Sequence, residues 1–167
     1  MTNTKKLLQT NSAFTLVELL VVMVIIAILV VAGLAGLNYA QRAARDTARL
    51  ADTRSVVTYI QDYYRQYKQY PTALTRSGQI IYATMPSGGN YGTGITMSTK
   101  GLNAINVLAP SATAPTTAAV NTSCGTSTAD SWRVVYQPSS NTNPQTFFLY
   151  ACQESGGSSE NLSPASN

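Results

Sequence analysis

The sequence predicts an α+β chain, in which one long N-terminal helix packs its second half on a small antiparallel β-sheet head. Three observations carry that expectation. Leu19 to Leu37 is an unbroken run of nineteen residues with no charge and no hydrogen-bonding side chain. From Asn38 to Gln69 the chain turns polar yet contains neither Pro nor Gly. Near the far end, Ser131–Tyr136 and Thr146–Cys152 are rich in aromatic and branched residues. They flank the turn-forming stretch Gln137-Pro-Ser-Ser-Asn-Thr-Asn-Pro-Gln145, which reads as a hairpin.

The helix is justified first by its apolar half. At about 1.5 Å per residue, nineteen helical residues nearly cross the hydrocarbon of a bilayer. The run is rich in Val, Ile and Leu, broken only by Ala, Met23 and the pair Gly33/Gly36. Glu18 sits at its mouth, with Phe14 to Val17 on the other side. A carboxylate there is costly to bury unless a cation lies close, so Glu18 is a functional candidate whose cation is to be found. The plainer alternative is a carboxylate left in water at the membrane edge. Residues 1–12 carry Lys5 and Lys6 and no acid, which keeps this end cytoplasmic and sends everything past Leu37 outward. Val31-Ala-Gly33 and Leu34-Ala-Gly36 are weak versions of an ordinary signal-cleavage site, the alternative to retention.

Past Leu37 the helical pattern continues in amphipathic form. Ala43, Thr47, Leu50, Val57, Ile60, Tyr64 and Tyr67 recur mostly three or four apart, with Arg54 interrupting the stripe. Arg42/Asp46 and Asp62/Arg65 stand at helical contact spacing. The expectation is one helix from about Thr15 to Gln69, roughly 80 Å by rise per residue. It stops at Tyr70-Pro71, because the residue before proline is pushed out of the helical region. Tyrosines 59, 63, 64, 67 and 70 crowd its end. They read as the rim of a core with hydroxyls reaching water, a stacking platform for bases or sugars being the alternative.

The head is less legible. Glycines 78, 88, 89, 92, 94 and 101 punctuate short apolar pieces, among them Leu102–Leu108, which reads as a short helix or strand. Residues 109–131 are mostly Ser, Thr, Ala and Pro and are expected to form an exposed loop. Asn121-Thr-Ser123 and Asn161-Leu-Ser163 fit the N-glycosylation sequon. Residues 155–167, small and polar, are expected to be a flexible tail. The two cysteines, Cys124 and Cys152, both lie beyond the apolar run. In a chain that exports its C-terminal part they read as one disulfide, with two buried thiols as the alternative.

Composition excludes much. The formal net charge is +4, of which Lys5 and Lys6 supply two, leaving +2 for the rest (4 − 2). That is no nucleic-acid footprint. Without histidine there is no His-based triad and no His–metal cluster. The head's acids, Asp130, Glu154 and Glu160, are too few and scattered for a carboxylate cage around calcium. No enzyme activity, cofactor or metal is expected.

Ala13-Phe14-Thr15-Leu16-Val17-Glu18, followed by the apolar run, resembles the processing site of type IV prepilins and pseudopilins. The stretch Tyr63–Pro71 is similar to the Tyr-Pro end of their long helix, so the resemblance covers about residues 5–72. It implies a pilin fold and cleavage by a prepilin peptidase between Ala13 and Phe14, with N-methylation of Phe14. It also supplies the cation: in that family the new amine pairs with an acidic residue at the place of Glu18 during assembly. Two positions depart from the usual pattern. Ala13 stands where the family usually has Gly, and Ala35 where many major pilins have Pro.

The residue patterns and the resemblance together give five segments: a leader, 1–13; a membrane and assembly half of the helix, 14–37; an amphipathic half, 38–70; a head, 71–154; and the tail, 155–167. Gly33 and Gly36 are expected to let the stem bend or locally unwind. Implied partners are further copies in a helical filament, the peptidase, membrane lipid before assembly, and the assembly platform with its ATPase acting indirectly. The chain would sit in the cytoplasmic membrane, single-pass with its N-terminus inside, and then in a surface pilus. The Cys124–Cys152 pairing agrees with the way pilins often close their C-terminal region. A secretion or competence pseudopilin is the nearest alternative. An unprocessed, signal-anchored protein with an extracytoplasmic binding head is the alternative from another class.

Overall fold

A computed structural model describes residues 14–154, 157–158 and 161–162. It separates into two compact units, Met1–Tyr39 and Ala40–Asn167. Helix α1, Leu16–Tyr67, begins in the first unit and ends in the second.

In the first unit α1 turns every large apolar side chain outward, from Val22 at 47% exposure to Leu16 at 82%. A window of mean hydropathy 3.1 makes this helix long and apolar enough to cross a membrane. The helix runs through Gly33 and Gly36 without interruption.

In the second unit the rest of α1 buries Arg49, Asp52, Thr53, Val56, Ile60 and Tyr63. This face is rotated from the expected stripe. Ala43 and Thr47 are exposed, while Leu50, Val57, Tyr64 and Tyr67 are only half-buried. Arg49 and Asp52 turn inward because loops distant in sequence give their charged ends hydrogen bonds, so hydropathy alone misplaces the face. Of the two helical pairs, Asp62–Arg65 closes at 3.4 Å. Asp46 is bound by Arg49 at 3.2 Å, and Arg42 lies 3.7 Å from Glu154. The helix ends two residues before the expected point, where Lys68 enters the left-handed region at φ 57°.

Three short strands follow: β1 (Leu74–Ser77), β2 (Ile80–Ala83) and β3 (Ile95–Thr96), an antiparallel sheet in that order. The second sheet runs β4-β5-β6-β7, formed by Leu102–Val107, Trp132–Pro138, Phe147–Gln153 and Gly157–Ser158. β5 and β6 are the expected hairpin, antiparallel with Val134 opposite Ala151 and Pro138 opposite Phe147. Leu102–Val107 is a strand, not a helix. It pairs parallel with β5, which corrects the all-antiparallel expectation for the head. A parallel pair needs a long crossover, and the segment between β4 and β5 provides one.

That crossover corrects a second expectation. Residues 109–131 are not all loop: helix α2, Thr117–Cys124, lies within them. The Thr116 hydroxyl caps it by accepting from the Ala119 N–H at 3.2 Å, and Gly125 ends it at φ 58° with its N–H on the Asn121 carbonyl. Cys124, the last residue of α2, forms a disulfide to Cys152 on β6, with Cα atoms 5.4 Å apart. Val120 and Cys124 pack with Val135, Tyr150 and Cys152 on one face of the sheet. A second cluster joins Val56, Ile60 and Tyr63 of α1 to Trp132, Val134, Tyr136 and Leu149. Within 155–167, expected as a tail, Gly157–Ser158 pairs with β6 and the Leu162 N–H donates to the Leu149 carbonyl. The remainder of that segment lies outside the described residues.

The tyrosine cluster is core rim: the Tyr59 and Tyr63 hydroxyls are partnered by backbone, those of Tyr64 and Tyr67 by the Gln145 and Met85 side chains. Tyr63 donates to the Thr84 carbonyl at 3.0 Å and Tyr59 to the Tyr91 carbonyl at 2.5 Å. Tyr63 meets Tyr91 edge-on at 5.2 Å, and Tyr64 stacks on Tyr70 at 4.6 Å. Burial pushes the Tyr63 phenol up to about 12.

Asp52 closes the turn before β4. One carboxylate oxygen accepts from the Ser98 N–H and hydroxyl at 3.1 and 2.6 Å, and the other from the Thr99 N–H at 2.7 Å. Burial pushes this carboxyl up, but the hydrogen bonds from Ser98 and Thr99 together outweigh burial and hold it below its ordinary value. Asp52→Asn sets an amide donor against donors and is expected to lower stability by about 1–3 kcal/mol in urea unfolding of the full chain in detergent. The sign with pH follows. The carboxylate's contribution is complete above its unfolded pKa of about 3.9 and is lost as pH falls through the depressed folded value.

Candidate functional site

The candidate site is the start of α1. Thr15 is its N-cap: the Glu18 N–H donates to the Thr15 hydroxyl at 3.3 Å and to the Thr15 carbonyl at 3.1 Å. The Thr15 hydroxyl lies 3.5 Å from Glu18 Oε2. Thr15-Leu-Val-Glu18 therefore carries the first and last residues of a capping box. Glu18 is the acidic residue of the first turn, where the helix dipole favours negative charge. Sequence reasoning singled out Glu18 but missed Thr15, although Thr followed three residues later by Glu was a readable signal. Phe14 precedes the cap and is 79% exposed. Ala13, Lys5, Lys6 and the proposed leader lie outside the described residues. Chemically, the arrangement holds one carboxylate a single helical turn from Phe14, ahead of an apolar surface without a counter-charge of its own.

Residues 8–34 match the prokaryotic N-terminal methylation motif. This motif is the class III signal peptide of type IV pilins and pseudopilins. The match takes in Phe14, Glu18 and most of the exposed apolar stretch, so the segment that stands out by physics is the segment the motif describes. No curated protein and no solved structure matches the chain. The methylation motif supports a type IV pilin-like or pseudopilin-type precursor.

The motif leaves the head undescribed, and there a cluster missed by sequence reasoning ties β6 to α1. Arg45 grips Glu154 through two N–H bonds, 2.7 and 2.8 Å. The Glu154 N–H donates to Asp46 at 2.8 Å, and Arg42 and Arg49 stand 3.7 and 3.8 Å from its carboxylate. Arg49 is fully buried, paired with Asp46, donating to the Thr128 carbonyl, and lying 5.8 Å from the Trp132 ring centre. Burial lowers the Arg49 guanidinium, opposed by Asp46 and Glu154. No local signal could have shown this, since Arg45 and Glu154 are 109 positions apart.

The Arg45 hydrogen bonds hold the Glu154 carboxyl below its ordinary value, against some burial and with help from the nearby arginine charges. The clasp is thus intact above the unfolded carboxyl pKa of about 4.3 and is lost as pH falls through the depressed folded value. Glu154→Gln is expected to lower the urea midpoint at neutral pH and to match wild type in acid; equal midpoints at neutral pH would remove the clasp from the account.

Of the other expected features, Cys124–Cys152 is formed. Asn121 lies exposed on α2. The second sequon ends at Ser163, outside the described residues.

Proposed function

We propose that this chain is the structural subunit of a type IV pilus or related filament. The observation that carries the proposal is the methylation motif at residues 8–34, set directly on an exposed apolar helix. In this reading water and the peptidase open the Ala13–Phe14 bond, residues 1–13 leave, and the freed amine of Phe14 is methylated. The stem waits in the membrane, where lipid covers its apolar surface. It then enters a bundle of identical stems, where burial against neighbours replaces lipid.

Glu18 sets the register. An unpaired carboxylate or ammonium is disfavoured in that apolar bundle, so a subunit seats where its Glu18 meets the Phe14 amine of a neighbour. The Thr15 cap keeps the carboxylate at the first turn. Gly33 and Gly36, with no side chains to pack, give the stem its points of bending.

The test is recovery of sheared filaments containing this chain from cells with and without the prepilin peptidase. Filaments only in the presence of the peptidase support the proposal. Filaments lost together with protein export, rather than with surface pili, would assign it to a secretion pseudopilus.

A further inference from the structure

In the second unit, β6 reads Phe147-Phe-Leu-Tyr-Ala-Cys-Gln153, seven residues without a charge, a glycine or a proline. Both of its faces are packed: Leu149 belongs to the cluster against α1, and Tyr150 and Cys152 to the cluster against α2. An uncharged, proline-free strand of this kind, left with an open edge, is a template for pairing with another chain. Folded proteins usually blunt such an edge with a charge or a proline, and β6 has neither.

The register shows which groups the edge offers. The Ser139 N–H donates to the Thr146 carbonyl, and backbone groups alternate sides along a strand. Phe148 and Tyr150 therefore bond to β5, while Leu149, Ala151 and Gln153 turn their N–H and C=O groups to the opposite side. The C-terminal segment lies on that side. Gly157 stands opposite Gln153 and Ser158 opposite Cys152, and the Leu162 N–H donates to the Leu149 carbonyl at 2.9 Å. β7 also lies against α2. As the sheet's last strand it is two residues long, small and polar, a poor template for a further strand.

We propose that the C-terminal segment is a guard strand: its hold on β6 at Gly157, Ser158 and Leu162 keeps the head from pairing edge to edge with a second copy of this chain. Without it, the outward groups of Leu149, Ala151 and Gln153 lie open, and a strand satisfies all of them in register. The β6 of a second copy has the matching set. It repeats the same spacing of free groups, and its lack of charge lets two such edges meet antiparallel about a two-fold axis without repulsion. Processing at Phe14 plays no part in this contact, so the inference stands apart from the filament reading.

The test is residue-resolved amide exchange by NMR on the isotopically labelled chain in detergent micelles, complete or ending at Gly156, with detergent kept in proportion to chain. At low chain concentration, truncation is expected to speed exchange at Leu149, Ala151 and Gln153 by about tenfold or more. Phe148 and Tyr150, bonded to β5, should stay protected. Raising the concentration should restore protection at the first three as a second copy pairs there, and the complete chain should show no such dependence. Leu162→Pro removes the N–H that bonds Leu149 from an otherwise complete chain. It should shift the same amides the same way by a smaller factor, and it decides the matter where the truncated chain does not fold. Unchanged exchange at the outward amides in both variants would overturn the guard role. Exchange that is faster at every concentration would overturn pairing with a second copy.

Discussion

Glu18→Ala is expected to leave the second unit folded and the peptidase cut in place, while removing the chain from filaments. Glu18 lies in the first unit, and its bonds to Thr15 are local to the first turn, so the head loses no contact from this change. The loss falls on assembly. Inside a bundle of apolar stems, an incoming Phe14 ammonium would meet a methyl group in place of a carboxylate. Leaving one member of a buried ion pair unpartnered disfavours the pair's site by about 3–5 kcal/mol, a hundredfold or more in equilibrium. Immunoblots of sheared and membrane fractions should find the variant almost wholly in the membrane pool. Glu18→Asp keeps the charge but shortens its reach, and should recover part of the filament signal. Wild-type filament levels for Glu18→Ala would contradict the assigned role of the carboxylate.

Trp132→Ala is expected to have the largest effect on the head's stability. The indole is fully buried at the start of β5, in the cluster that joins the strand to Val56 and Ile60 of α1. It also lies beneath the buried Arg49 guanidinium. Truncating a large buried aromatic costs about 3–5 kcal/mol. That is a large share of the ~5–15 kcal/mol that holds a typical domain folded. Trp132→Phe should cost much less, because the indole N–H has no hydrogen-bond partner to lose and the ring volume is mostly kept. Thermal unfolding of the full chain in detergent checks both. A Phe variant as damaged as the Ala variant would mean that the indole N–H matters in a way this packing does not explain.

The legible parts of the fold were those written in local patterns. The apolar run and the Pro-free, Gly-free continuation specify α1, and aromatic pieces around a turn-rich stretch specify the β5–β6 hairpin. The candidate site was legible for the same reason, since Phe14 and Glu18 stand within one turn of each other beside that run. What was missed depends on partners distant in the chain. Arg49 is buried where Leu50 was expected, because Asp46 and the Thr128 carbonyl take up its charge and donors. Helix α2 carries little apolar periodicity. It is held by Val120 and the disulfide at Cys124, with Thr116 and Gly125 as its only local punctuation. The parallel direction of β4 follows from the path of that crossover, which strand composition does not encode.

The intact mass and N-terminal residue of the chain recovered from membranes or sheared filaments test the central claim most directly. The account predicts a chain that has lost residues 1–13, gained one methyl group and begins at N-methylated Phe14. A chain still beginning at Met1 would contradict it and leave a membrane-anchored head. Cleavage after Gly33 or Gly36 would contradict it equally, by removing the stem on which assembly depends.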